Sequence, residues 1–100
     1  MSELLLLTLI APPTLEEPLV DWLLQCESEI GFSTFPINGH FSRPDGLSLA
    51  EQVTCRKNQI RFEIHVPGAE WPSLLERLHR DFAGTGIHYW VAPVVAQGRV

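Results

Sequence analysis

Two hydrophobic rhythms alternate along this chain. From Leu4 to Ile10 every position but Thr8 is apolar, and Ala11-Pro12-Pro13 ends the run. A continuous apolar run of that length, closed by turn residues, predicts a central strand covered on both sides. Thr14 and Glu17 then have the spacing of a capping box, in which each side chain reaches the other's backbone N–H. Pro18 falls in the first helical turn, where a missing donor costs little. Leu15, Leu19, Trp22, Leu23 and Cys26 recur at helical spacing and predict one apolar stripe, with the helix ending near Glu29 or Ile30, before Gly31.

The segment from Phe32 to Asn38 is rich in aromatic and β-branched residues and predicts a second strand closed by Gly39, with Pro36 pointing to an edge or a bulge. Ser42, Pro44, Asp45, Gly46 and Ser48 make the following stretch a long loop at a hairpin tip. From Ile60 the pattern alternates strictly. Ile60, Phe62, Ile64 and Val66 face one way, and Arg61, Glu63 and His65 the other, until Pro67-Gly68. Trp71, Leu74, Leu75, Leu78 and Phe82 predict a second amphipathic helix, with Pro72 in its first turn and Gly84 as its stop. The last stretch, Ile87 to Val95, is apolar almost throughout. Ile87, Tyr89 and Val91 share one face; Trp90, Ala92 and Val94 share the other.

The resulting order is β-α-β-β-α-β, an α+β, ferredoxin-like two-layer sandwich in one domain spanning residues 1–100. Two helices cover one face of a four-stranded sheet and leave the other open. That open face receives Arg61, Glu63 and His65, together with leucines of the first strand and one aromatic of the last. A mixed polar and apolar face on a small domain predicts a subunit interface, and hence a closed, symmetric homo-oligomer.

Composition narrows the function classes. With 45% hydrophobic and 19% charged residues the chain is globular rather than disordered. A net charge of −5 argues against nucleic acid as a partner. Cys26 and Cys55 form no CxxC pair, so neither a disulfide framework nor a zinc ribbon is expected, and free thiols suit a reducing, cytoplasmic setting. The Leu4–Ile10 run follows Glu3 rather than a basic segment and is too short to span a bilayer, so it reads as a strand and not as a signal peptide.

Candidate chemistry is sparse. His40 and Cys55 flank the hairpin loop and could approach each other. With His65 they make the metal-ligating candidates, suited to Zn²⁺ or Cu⁺, although their spacing follows no recognised ligand pattern. His79, next to Arg80, reads as a solvated helix residue, and His88 as an exposed or interface residue. Glu27 and Glu29 read as a solvated helix end, and Trp22 and Trp71 as core rather than a ligand cage. No nucleophile elbow, Walker loop or HExxH pattern occurs, so catalysis is not expected.

The exit Ile10-Ala11-Pro12, the hairpin Gly31-Phe32-Ser33-Thr34-Phe35-Pro36-Ile37-Asn38-Gly39 and the strand Ile60-Arg61-Phe62-Glu63-Ile64-His65-Val66-Pro67 resemble the PII signal-transduction superfamily over nearly the whole chain. Within it the chain resembles most the short PII-like proteins of unknown function encoded beside bacterial heavy-metal efflux pumps, and more distantly the CutA proteins. The resemblance implies a trimer with sheet faces packed toward a shared centre and ligand clefts between subunits. In such a trimer three copies of His65 would converge around the axis.

The resemblance also implies that the loop at about residues 40–54 is an effector arm that docks on a membrane transporter of the efflux type. The loop holds no tyrosine, so uridylylation is not expected. Gly39 matches the glycine at the base of that arm, with Phe41 where a second would stand. Gly84-Thr85-Gly86 matches a phosphate-cradling loop, with Ile87 where a lysine would follow, and Arg99 matches one of two C-terminal arginines. Gly39, Gly84, Gly86 and Arg99 are thus the ligand-binding candidates. The implied function is a non-enzymatic trimeric regulator of heavy-metal or small-molecule transport. The alternatives are a direct Zn- or Cu-binding tolerance protein and a nucleotide-sensing regulator.

Overall fold

In the computed structural model, residues 4–26, 31–40 and 56–100 are described. The elements are β1 (Leu4–Ala11), a 3-10 turn (Pro13–Leu15), α1 (Glu16–Gln25), β2 (Phe32–His40), β3 (Arg56–Pro67), α2 (Trp71–Asp81) and β4 (His88–Pro93). The four strands form one antiparallel sheet in the order β2-β3-β1-β4. Two elements inserted between non-neighbouring strands give that order, so the ferredoxin-like α+β arrangement is the one the element order predicts. β2 is an edge strand, and its Pro36 therefore breaks no interior ladder.

Strand parity decides where the core sits. Leu7, Leu9 and Ala11 of β1 and Ile60, Phe62, Ile64 and Val66 of β3 are buried on the helix-covered face, against Leu19, Trp22, Leu23, Cys26 and Leu78. Leu15 of the first predicted stripe and Trp71, Leu74, Leu75 and Phe82 of the second pack against them. Trp22 and Phe82 meet edge to face at 5.6 Å and tie α1 to α2, and Trp22 Nε1 donates to Asp81 Oδ2 at 2.8 Å. The 3.6-residue period thus places both stripes against one layer of β side chains.

The helix ends depart from the sequence reading. No capping box forms at Thr14. Pro12, at φ −65° and ψ 152°, starts a 3-10 turn in which Leu15 N–H donates to the Pro12 carbonyl at 3.0 Å, so Thr14 lies inside the turn instead of at the cap. Glu16 and Glu17 still occupy the first turn of α1, where the helix dipole favours them. α1 stops at Gln25, earlier than Gly31 suggests, because Cys26 turns out to ψ 114° while its thiol fills the last core position. β4 is shorter than its apolar run: it ends at Pro93, and Val95 is fully in solvent.

Candidate functional site

The open face is built from the alternate residues of all four strands. The register aligns Phe35 with Arg61, Arg61 with Ile10 and Ile10 with His88; one step along, Ser33, Glu63, Thr8 and Trp90 make the next row. Leu6 lies between His65 and Ala92 in the row after that. Trp90, not Tyr89, is the aromatic on this face. Phe35 and Trp90 are each 39% exposed, large side chains left uncovered by their own chain.

A polar strap crosses the middle of this apolar surface. Arg61 Nε lies 3.1 Å from Glu63 Oε1, and the guanidinium continues over the Trp90 ring at 5.7 Å, where cation–π attraction holds it. His88 abuts the same ring edge to face at 5.5 Å. Thr8, in the row between Glu63 and Trp90, is fully buried. Its Oγ1 has no hydrogen-bond partner among the described residues, and neither has Arg61 Nε. The Arg61–Glu63 pair is thus a contact between charges whose N–H is not aligned on the carboxylate.

A buried hydroxyl without a partner costs about 1–3 kcal/mol. Thr8→Val keeps a β-branched shape suited to a strand and removes that hydroxyl. It is expected to raise the melting temperature of the dilute protein by roughly 4–8 °C, the equivalent of about 1 kcal/mol for this size. Differential scanning calorimetry checks this, and an unchanged or lower melting temperature would show that Thr8 Oγ1 is satisfied.

The second region lies at the end of the sheet where α2 hands over to β4. Gly84 and Gly86 have φ of +76° and +78°, a conformation that glycine adopts without strain. Between them Thr85 Oγ1 donates to the Phe82 carbonyl at 2.7 Å and closes the helix end. The loop, with Leu78, His79, Phe82, Ile87 and Tyr89, lines a hollow of about 130 Å³. His79 Nε2 and Tyr89 Oη are hydrogen-bonded at 2.9 Å with rings edge to face, so His79 joins α2 to β4 where the sequence suggested only a solvated residue. Nothing in the helical spacing signals this bond, because the partner lies across the helix–strand turn.

Among the described residues the sequence-derived ligand candidates do not meet within one chain. Gly39 lies on edge strand β2, opposite Lys57, whereas Gly84 and Gly86 precede the other edge strand. Three strand spacings, about 14 Å, separate the two edges. Arg99 is exposed on the segment that leaves β4 at the end remote from the glycine loop. His40 pairs with Arg56 and His65 with Leu6, nine positions apart on β3 and therefore about 30 Å. One chain cannot place both imidazoles on one ion. Cys55 lies outside the described residues, and no group of three His, Cys, Asp or Glu side chains assembles among the described ones. The described thiol, Cys26, is free and buried; burial raises its pKa above the usual thiol value, and nearby Arg77 offsets only part of that rise. Such a thiol is a poor nucleophile.

Asp81 gives the helix layer a pH dependence. The hydrogen bond from Arg80, then that from Trp22, holds its carboxyl below the usual carboxylate range. A carboxyl depressed on folding binds protons more readily when unfolded, so its contribution is present above about pH 4 and is lost as the pH falls through the folded value. Asp81→Asn is expected to flatten that part of the acid limb, which melting curves from pH 5 to pH 2 would reveal. Parallel limbs for both proteins would contradict it.

No helix of the described residues is long and apolar enough to cross a membrane. The sequence profile of a family described as "Protein of unknown function (DUF3240)" matches residues 1–100. Among solved structures, a DUF3240 family protein from Shewanella baltica is 28% identical, covering all of this chain and 99% of that one, with a TM-score of 0.78. A candidate PII-like signalling protein from Thermus thermophilus is 25% identical over 91% of this chain and 86% of its own, with a TM-score of 0.65. PII of Arabidopsis thaliana, solved with citrate, shares the fold at 18% identity and a TM-score of 0.66, over 93% of this chain and 78% of that one. None of the curated proteins compared matches the chain.

Proposed function

Because the chain belongs to the DUF3240 family, whose function is unknown, and has the fold of PII-like signalling proteins, we propose that it is a non-enzymatic, homotrimeric regulator. The observation that carries this reading is the open face: Leu6, Ile10, Ala92, Phe35 and Trp90 share it with an incompletely bonded Arg61–Glu63 pair. A second surface is needed to remove that area from water. The loop at residues 40–54 is then the arm that reaches the partner. The resemblance to proteins encoded beside heavy-metal efflux pumps suggests that partner, a membrane transporter whose traffic the trimer tunes from the cytoplasm.

Two other readings address ligands. In the metal reading, Zn²⁺ or Cu⁺ is held where three exposed His65 side chains converge, or at His40 with Cys55; His65 lies on the open face, which supports the first of these. In the nucleotide reading, Gly84 and Gly86 of one subunit face Gly39 and Arg99 of a neighbour across a cleft; the two positive φ angles support a backbone cradle. Against it, Thr85 Oγ1 is already engaged by Phe82, and Ile87 offers no cation.

Sedimentation equilibrium and titration calorimetry separate these. The regulator reading expects three chain masses across a wide concentration range and no heat from ATP. A persistent monomer overturns it. Tight ATP binding moves the assignment to a nucleotide sensor, and tight Zn²⁺ or Cu⁺ binding lost in His65→Ala moves it to a metal-binding tolerance protein.

A further inference from the structure

We propose that Arg61 and Glu63 exchange partners between copies of the chain: the guanidinium of one copy pairs with the Glu63 carboxylate of the next. This exchange fixes which faces close on each other. The inference rests on the reading that the open sheet faces assemble, and it names the contact that directs the assembly.

Three observations lead to it. First, opposite charges lie two positions apart on one strand and on one face, so the patch is complementary to a second copy of itself. Second, the contact within the chain is poorly made. Arg61 Nε is 3.1 Å from Glu63 Oε1, yet it is buried and makes no hydrogen bond among the described residues. The guanidinium lies over the Trp90 ring at 5.7 Å, and the Arg61 and Glu63 side chains keep 36% and 30% of their surface exposed to an incoming group.

Third, large apolar side chains border the pair. Phe35 and Ile10 flank Arg61 across the two ladders, and Trp90 lies beyond Thr8 in the row of Glu63. Closing this face strips water from both charges. A charge taken out of water in this way destabilises the assembly unless it gains well-directed hydrogen bonds. The misaligned contact within the chain cannot supply them. A carboxylate arriving from a facing strand can take the guanidinium along its edge, the paired geometry that makes arginine–carboxylate contacts strong.

The test is charge reversal with mixing, read by sedimentation velocity and native mass spectrometry of the full chain. Arg61→Glu and Glu63→Arg, each alone, are expected to raise the concentration for half-dissociation at least tenfold. Each single variant has like charges both within the chain and between copies. In an equimolar mixture only contacts between unlike copies become complementary, so the mixture is expected to assemble at least tenfold more tightly than either variant alone. In a mixed trimer two of the three contacts would be restored.

A mixture no tighter than its components overturns the exchange, and so do single variants that assemble like wild type. Should a reversal variant fail to fold, as judged by far-UV circular dichroism, Arg61→Gln and Glu63→Gln replace it. Wild-type assembly then weakens with added NaCl while that of the neutral variants does not, and equal salt dependence sinks the proposal. A wild type that is itself monomeric defeats the oligomer reading as a whole. A wild-type oligomer with an unrescued mixture defeats only the exchange.

Discussion

Phe62→Ala is expected to cost about 3–5 kcal/mol, the range for removing a fully buried aromatic side chain. Phe62 has no exposed surface and sits at the middle of β3, an interior strand, opposite Leu9 on one side and Thr34 on the other. Its ring packs 6.4 Å from that of Phe32, so the loss is felt at the β2 edge as well as at the centre. A domain of this size has about 5–15 kcal/mol of total stability. The variant should therefore lose about a fifth of it or more, and near the lower bound it should be largely unfolded at body temperature. Urea denaturation at fixed protein concentration measures the effect as a lower midpoint with an unchanged slope. Phe35→Ala is the matched control: the same residue type on the neighbouring strand, but on the open face and 39% exposed. It should leave the fold intact. Equal losses for the two would mean that the layer assignment of the sheet faces is wrong.

The contrast between Phe62 and Phe35 also shows how much was legible in the sequence. Strict alternation from Ile60 to Val66 declares which face of β3 is buried, and the stripes of both helices name the residues that cover it, all of which pack in the core. Alternation is a property of one strand and survives in the sequence. What is settled between elements does not. The Thr14 cap fails because two prolines upstream commit the backbone to a 3-10 turn, a choice a four-residue motif does not contain. His79 reads as a solvated helix residue until Tyr89 is placed beside it. Gly39, Gly84, Gly86 and Arg99 fit one ligand by motif, yet strand order puts them on opposite edges and ends of the sheet. His40 and His65 lie on neighbouring strands and still stand about 30 Å apart, since nine residues of extended chain separate His65 from Arg56, the partner of His40. The site is the part least legible: in the proposed assembly it is shared between copies, and such a site is specified by a symmetry that one chain does not encode in its spacing.

Trp90→Glu should produce a folded monomer. Trp90 is on the outer strand of the open face, its ring held between the Arg61 guanidinium and the His88 edge, and its own chain leaves 39% of it uncovered. Large aromatic residues of this kind dominate interfaces, with losses of about 2 kcal/mol or more per contact when removed. A trimer makes three such contacts, so the overall dissociation constant should rise by about four orders of magnitude, at 1.4 kcal/mol for each tenfold step. Glutamate adds a second penalty: closure would bury a new negative charge in the same row as Glu63, across Thr8. The monomer itself loses little, since the side chain lies outside the helix-covered core and exposed substitutions usually change stability by about 0.5 kcal/mol or less. Sedimentation velocity reads the first expectation and far-UV circular dichroism the second. Tyr89→Phe, one residue earlier and on the opposite face, removes the hydrogen bond to His79 but should leave the assembly unchanged. If Trp90→Glu assembles as the wild type does, the open sheet face is not the interface. An effect of Tyr89→Phe on assembly instead would move the interface to the α2–β4 corner, around the glycine loop.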